Sequence, residues 1–295
     1  MNRMDPKRQA AIVAALVEGV GIRSTCRITG ASKGAVTKLI ADLGPVCAKY
    51  MDEAFHDLPC KTLELDEIWA FCYAKQKNVP QDKLGTFGYG DVWTFTAIDA
   101  DTKLIPSFMV GSRDAGTAHE FCQDLASRLA YRPQITTDGL KVYVGALEDA
   151  FNGDLDYAQL VKVYGATPTG ETRYSPADCL GTQKHAISGN PDPKRISTSY
   201  VERANLSMRM GLRRYTRLTN GHSKKLENHC AALAIFFMHY NFARLHSTIR
   251  CSPAMAAGVT SHLWSVADIV ALLPVEAPKE RGAYKSRPFK GTISK

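Results

Sequence analysis

The 295-residue sequence has no CxxC pair among its eight cysteines (Cys26, Cys47, Cys60, Cys72, Cys122, Cys179, Cys230 and Cys251). Zinc modules built on paired cysteines and the disulfide frameworks of small secreted domains are therefore excluded, and the thiols are expected to be reduced, in a cytoplasmic protein. Long apolar runs are missing too. The longest, residues 230–238, falls far short of the roughly 20 residues that a membrane-spanning helix needs. The first residues, MNRMDPKRQAAIVAALVEG, are broken by charge and carry no signal-peptide pattern, so a soluble protein with no membrane partner is expected. Acid is absent from one stretch: between Glu202 and Lys225 no Asp or Glu occurs.

That local absence reflects an uneven distribution of the net charge of +8. Residues 1–169 hold 18 Lys and Arg against 21 Asp and Glu, whereas residues 170–295 hold 19 against 8. A basic half beside an acidic one points to a polyanionic partner. The acid-free stretch carries Arg203, Arg209, Arg213, Arg214, Arg217, Lys224 and Lys225, the strongest candidates for phosphate contact, with a solvated helical face as the plainer alternative.

Residues 1–45 divide at Gly19-Val20-Gly21, Gly30-Ala31-Ser32 and Gly44-Pro45 into three short helical segments. Ile12, Val13, Leu16, Val17, Ile22, Ile28, Val36, Leu39, Ile40 and Leu43 recur at helical spacing and would form a small core. The pattern fits an all-α helix-turn-helix domain in which Ser32 caps the third helix and Lys33, Thr37 and Lys38 face a DNA major groove. A three-helix packing or dimerisation module fits the same pattern.

After a linker over residues 46–60 the texture changes to strands: TLELDEIWAFC, DVWTFTAIDA and KLIPSFMVGS. A helix over AGTAHEFCQDLASRLA, a strand at QITTD, a helix at residues 144–151 and a strand at AQLVKVYG follow. Three strands, a helix, a strand, a helix and a strand predict an α/β domain over residues 61–258, a mixed sheet with flanking helices in a ribonuclease-H-like layout. Residues 166–198, rich in Gly, Pro, Ser and Thr and carrying Lys184, read as a long loop. A helix near residues 200–215, an amphipathic helix over residues 223–245, a C-terminal helix within residues 259–273 and a basic tail at residues 274–295 with little to bury complete the chain.

On this layout Asp66 lies in the first strand, Asp138 at the end of the fourth, and Glu202 on the first turn of the helix that crosses them. Carboxylates converging from separate rigid elements, beside a cationic surface, suit two-metal phosphoryl transfer, and oxygen ligands with open positions suit Mg²⁺, with Mn²⁺ as a substitute. Glu202, Asn205, Arg209 and Arg213 share one helical stripe. Ser199 and Glu202 also match a capping box, the structural alternative for Glu202. Glu67 alternates to the far side of the strand from Asp66 and reads as structural. Trp69 and Trp93 read as core aromatics. Arg244 and His246 fit DNA contact, positioning of the carboxylates, or packing.

These residues resemble the DDE transposases of bacterial insertion sequences, above all the group typified by the first-numbered insertion sequence. The first-Asp motif DE-x-W reads Asp66-Glu67-Ile68-Trp69, and the glutamate motif ER-x-NL-x-x-R reads Glu202-Arg203-Ala204-Asn205-Leu206-Ser207-Met208-Arg209. The match spans residues 63–257, including Tyr240-Asn241-Phe242-Ala243-Arg244-Leu245-His246. The resemblance implies that Asp66, Asp138 and Glu202 bind two Mg²⁺ ions, cut at transposon ends and join the freed 3′-hydroxyl to target DNA. It also implies a homo-oligomer, a dimer or larger, on paired DNA ends in the bacterial cytoplasm at the nucleoid, and no small-molecule substrate. A cysteine zinc motif that often precedes the helix-turn-helix in this group is absent. A catalytically silent DNA-binding regulator and a ribonuclease-H-fold nuclease or resolvase without strand joining are the rival readings.

Overall fold

β-branched and aromatic residues concentrate between residues 62 and 111, where the computed structural model places three strands; it describes residues 4–165, 177–216 and 219–274. β1 (Thr62–Cys72), β2 (Gly90–Asp99) and β3 (Ser107–Gly111) form the expected antiparallel meander. β4 (Gln134–Thr137) and β5 (Asp156–Tyr164) add in parallel on the other side of β1. β6 (Cys179–Ser188) closes the sheet antiparallel to β5, giving the order β3-β2-β1-β4-β5-β6. The result is a mixed six-stranded α/β sheet with flanking helices, consistent with the ribonuclease-H-like layout.

Alternation along β1 sets the two faces. Phe95 of β2, paired with Glu67, packs on Phe121 and Tyr143, whose ring centroids lie 5.8 and 6.0 Å away. These rings belong to α4 (Ala115–Arg128) and α5 (Val142–Phe151), which cover one face. The other face takes α6 (Ser199–Gly211) and α7 (Leu226–Met238). Residues 231–238 of α7 are all buried, and Phe237 packs on Phe108 of β3 with centroids 4.4 Å apart. The amphipathic helix expected over residues 223–245 is thus shorter and apolar nearly all round, because protein covers it on every side.

The N-terminal segment forms α1 (Pro6–Val17), α2 (Ile22–Thr29) and α3 (Lys33–Ala54). Ser32 caps α3 as expected, its Oγ accepting from the Ala35 amide at 3.2 Å. The expected break at Gly44-Pro45 and the linker over residues 46–60 are corrected: α3 runs through Pro45 for 22 residues. Pro45 sacrifices one ladder bond. Gly44 compensates by letting α3 lie against α7, where a Cβ at this position would sit 2.4 Å from the Ala231 backbone. Nor do the three helices keep a private core, for Ile12, Val36, Leu43 and Met51 join one apolar cluster with Leu65, Phe95 and Phe237 of the sheet and its helices. Ile28, expected inside, is 68% exposed, because α2 lasts only one turn past Cys26 and turns that side to solvent.

β6 corrects the expected loop over residues 166–198, of which residues 166–176 lie outside the described residues. C-terminal to α7 come a short π turn (His239–Ala243), α8 (Pro253–Ala256) and α9 (Val266–Ala271), the last started by a capping box of Ser265 and Asp268. The basic tail lies outside the described residues from residue 275 on. Among the described residues no helix is long and apolar enough to cross a membrane.

Candidate metal centre

Sheet register decides which side chains meet. Leu65 pairs with Thr137 on β4, and Thr137 with Gln159 on β5, so alternation sends Asp66, Asp138 and Lys162 to the face that α6 covers. α6 is fixed there by a residue the sequence reading missed. Glu64, two positions before Asp66 and 1% exposed, accepts from the amides of Tyr200 at 2.7 Å and Val201 at 3.0 Å. A strand carboxylate therefore satisfies first-turn amides that a helix start leaves unpaired, and burial holds the Glu64 carboxyl above its usual range. The signal was available, because a charged residue on the buried side of a central strand requires a partner.

One turn along α6, the Asn205 amide donates to Asp66 Oδ2 at 2.8 Å, while the Glu67 backbone N–H donates to Asp66 Oδ1 at 2.8 Å. Asp138 accepts from the Leu140 amide at 2.9 Å. Ligand oxygens of Asp66, Glu67 and Asp138 all lie within 4.8 Å of one another. Glu67 is the most committed of the three: Arg113 donates to Oε1 at 2.8 Å through Nε and 2.5 Å through Nη2, and the Tyr143 hydroxyl donates to Oε2 at 3.3 Å. Its expected structural role therefore coexists with a place in the acid cluster, where Asp66 turns back onto the Glu67 amide.

Glu202 stands outside that cluster of three. Its two oxygens lie 2.6 Å from Lys162 Nζ, and Oε1 also accepts from the Thr198 hydroxyl at 2.7 Å. Neither Ser199 nor Thr198 makes a side-chain cap at the α6 start, so the alternative capping box is not formed. Lys162 is a second residue that sequence reasoning missed, since an isolated lysine in a half-exposed strand carries no pattern.

Crowding of acids shows in the protonation of Asp66, which is pushed up to about 7 by burial first and then by the charges of Glu67 and Asp138, against the two hydrogen bonds it accepts. Oxygen-only donors, like charges at short range and a raised carboxyl together fit a hard divalent cation such as Mg²⁺ or Mn²⁺, which would restore the charge balance. Without a cation, folded Asp66 holds its proton more tightly than in the unfolded chain, so its contribution to stability is largest at low pH and is lost as pH rises through about 7. Thermal melts in chelator should show the stability advantage of Asp66→Asn over the parent widening between pH 5 and pH 8; a constant gap would refute the shift.

The basic candidates separate. Arg203 is exposed, as are Lys33 and Lys38, with Lys38 paired to Asp42; Thr37 is half-buried and donates to the Lys33 carbonyl at 2.9 Å. Arg209 Nη1 donates to the Tyr215 carbonyl. α6 ends at Gly211, which moves exposed Arg213 off the predicted stripe. Arg214 is drawn inward among Leu16, Val17, Ile40 and Ala232, and its Nε donates to Ser223 Oγ at 2.6 Å, a correction to its expected DNA role. Asn205, a DNA-contact candidate on the same stripe as Arg209, is instead 8% exposed and engaged with Asp66. Lys184 sits on β6 and donates to the Pro193 carbonyl at 2.7 Å. Exposed Arg244 stands over the Tyr240 ring at 5.9 Å; His246 packs edge-on to that ring at 4.7 Å, and burial lowers its imidazole to about 4, which favours the packing reading. Arg217 lies outside the described residues. Arg113 covers Trp93 at 4.7 Å, and Trp69 tilts on Phe71 at 5.7 Å.

No family model matches this chain, and no curated protein matches it. Among solved structures it is similar to the piggyBac transposase synaptic complex with hairpin DNA, at 12% identity and a TM-score of 0.41, covering 97% of this chain and 80% of that one. It is also similar to the Mos1 mariner paired end complex with Mn, at 9% identity and a TM-score of 0.23, covering 53% of this chain and 59% of that one. For the Mos1 strand transfer complex the values are 13% and 0.22, with 52% and 58% covered, so the chain spans less than two thirds of the Mos1 chains.

Proposed function

We propose that this protein is a DNA transposase of the DDE type, of the bacterial insertion-sequence kind that its motifs resemble, which cleaves element ends and joins the 3′-hydroxyl to target DNA. The observation that carries this reading is the meeting of Asp66, Glu67 and Asp138 within 4.8 Å beneath a helix that presents Glu202 and Asn205. Asp66, Asp138 and Glu202 would hold two divalent cations, Mg²⁺ or Mn²⁺. When bound, such ions supply an activated oxygen nucleophile and stabilise the leaving oxygen of an in-line displacement.

The chain's own groups prepare that chemistry. Asn205 and the Glu67 amide fix both oxygens of Asp66, and Arg113 with Tyr143 anchors Glu67 behind it. Glu64 seats α6, so the spacing between Glu202 and the sheet acids is set by a buried contact. Exposed Arg203 and Arg213 suit phosphate contact. In this reading the first three helices bind DNA through Lys33, Thr37 and Lys38, and the active species is a homo-oligomer on paired ends in the cytoplasm.

The test uses duplex DNA bearing the inverted repeats that flank the gene, with Mg²⁺. Nicks at the repeat ends followed by covalently joined products are expected. Nicks without joined products would favour the nuclease reading, and DNA binding without nicks the regulator reading.

A further inference from the structure

Glu202, the third acid of the proposed site, is held by a lysine from the neighbouring strand β5. Lys162 contacts both of its oxygens at 2.6 Å, so the ammonium takes the side of the carboxylate that a cation would otherwise neutralise. Thr198 pins Oε1 from the other side at 2.7 Å. The pair stands on separate elements, β5 and α6, and Lys162 shares its sheet face with Asp66 and Asp138. Lys162 and Glu202 side chains are 33% and 41% exposed. Ion pairs with that much solvent contact are worth no more than about 1 kcal/mol, so this one yields readily to a doubly charged competitor.

We propose that Lys162 is a positioning residue that competes with the divalent cation for Glu202. It holds the carboxylate outside the acid cluster in the cation-free protein and sets the cation concentration at which Glu202 joins Asp66 and Asp138. The proposal rests on Glu202 being a cation ligand, as read above. It also accounts for Glu202 standing outside the three-acid cluster even though α6 is docked and Asn205 already reaches Asp66.

The experiment measures Mn²⁺ binding to the full-length protein, without DNA, from the electron paramagnetic resonance of free Mn²⁺. Lys162→Gln should tighten binding by up to about fivefold, since the cation no longer has to displace an ion pair. The gain should vanish in Lys162→Gln/Glu202→Gln relative to Glu202→Gln alone, and Lys162→Arg, which keeps the charge, should stay near the parent. Unchanged or weaker binding in Lys162→Gln overturns the proposal, as does an equal gain in the Glu202→Gln background, which would assign Lys162 a general field effect. Lys162→Met replaces the glutamine variant if that one does not fold. Asp66→Asn provides the separate control: if it binds Mn²⁺ as the parent does, the metal-centre reading fails whatever Lys162 does.

Discussion

Replacing Asp66 with Asn should lower Mg²⁺-dependent strand cleavage at least about a thousandfold, the scale seen when a member of a cooperating catalytic set is removed. Such a loss corresponds to about 4 kcal/mol of transition-state stabilisation. The same substitution should leave the protein as stable as the parent or more so, because burial and the charges of Glu67 and Asp138 disfavour an ionised carboxylate at this position. That divergence separates a chemical role from a structural one. An activity loss that tracks a lower melting temperature would indicate a misfolded variant, and retained cleavage would remove Asp66 from the reaction. Asp138→Asn should lower cleavage on the same scale, since Asp138 lies in the same cluster.

Glu64→Ala is expected to cost about 3 kcal/mol of stability, because the half-buried Tyr200 amide and the buried Val201 amide lose their acceptor together. Chemical denaturation measures the loss. Amide hydrogen exchange localises it, with protection falling in the first turn of α6 before the rest of the sheet. Glu64→Gln keeps an acceptor oxygen and should recover much of the stability. Cleavage should fall with the alanine variant even under conditions where it remains folded, since α6 carries both Glu202 and Asn205. Unchanged exchange in α6 would show that the helix is seated by its apolar contacts alone, through Val201, Ala204 and Met208.

Strands β1 to β5 were legible because each is half or fully buried and so carries an apolar pattern. β6 was not, because residues 179–187 are exposed and the strand is held to β5 by backbone pairing, which leaves no hydrophobic period to read. The Gly44-Pro45 pair misled for the opposite reason: a strong local breaker was overridden by packing against Ala231. Asp66, Asp138 and Glu202 were candidates from their motifs and elements, and the register brings Asp66 and Asp138 together with Glu67 while Glu202 stays outside. What those motifs left invisible was the supporting cast of Glu64 and Lys162, whose roles exist only once the register brings β1, β5 and α6 together. The arginines after Arg209 were over-read for a related reason: the helix stops at Gly211, so a periodicity extended through Arg213 describes a stripe that the backbone does not build.

The unbroken α3 has a mechanical consequence. A rod of 22 residues, about 33 Å at 1.5 Å per residue, runs from the tip at Lys33 into the same apolar interior that supports the acids. No hinge separates the two, so if the tip grips a duplex, its offset from the acids is a fixed length along it. A duplex lengthened or shortened between tip and acids would have to bend or slip, since the protein holds its own length constant.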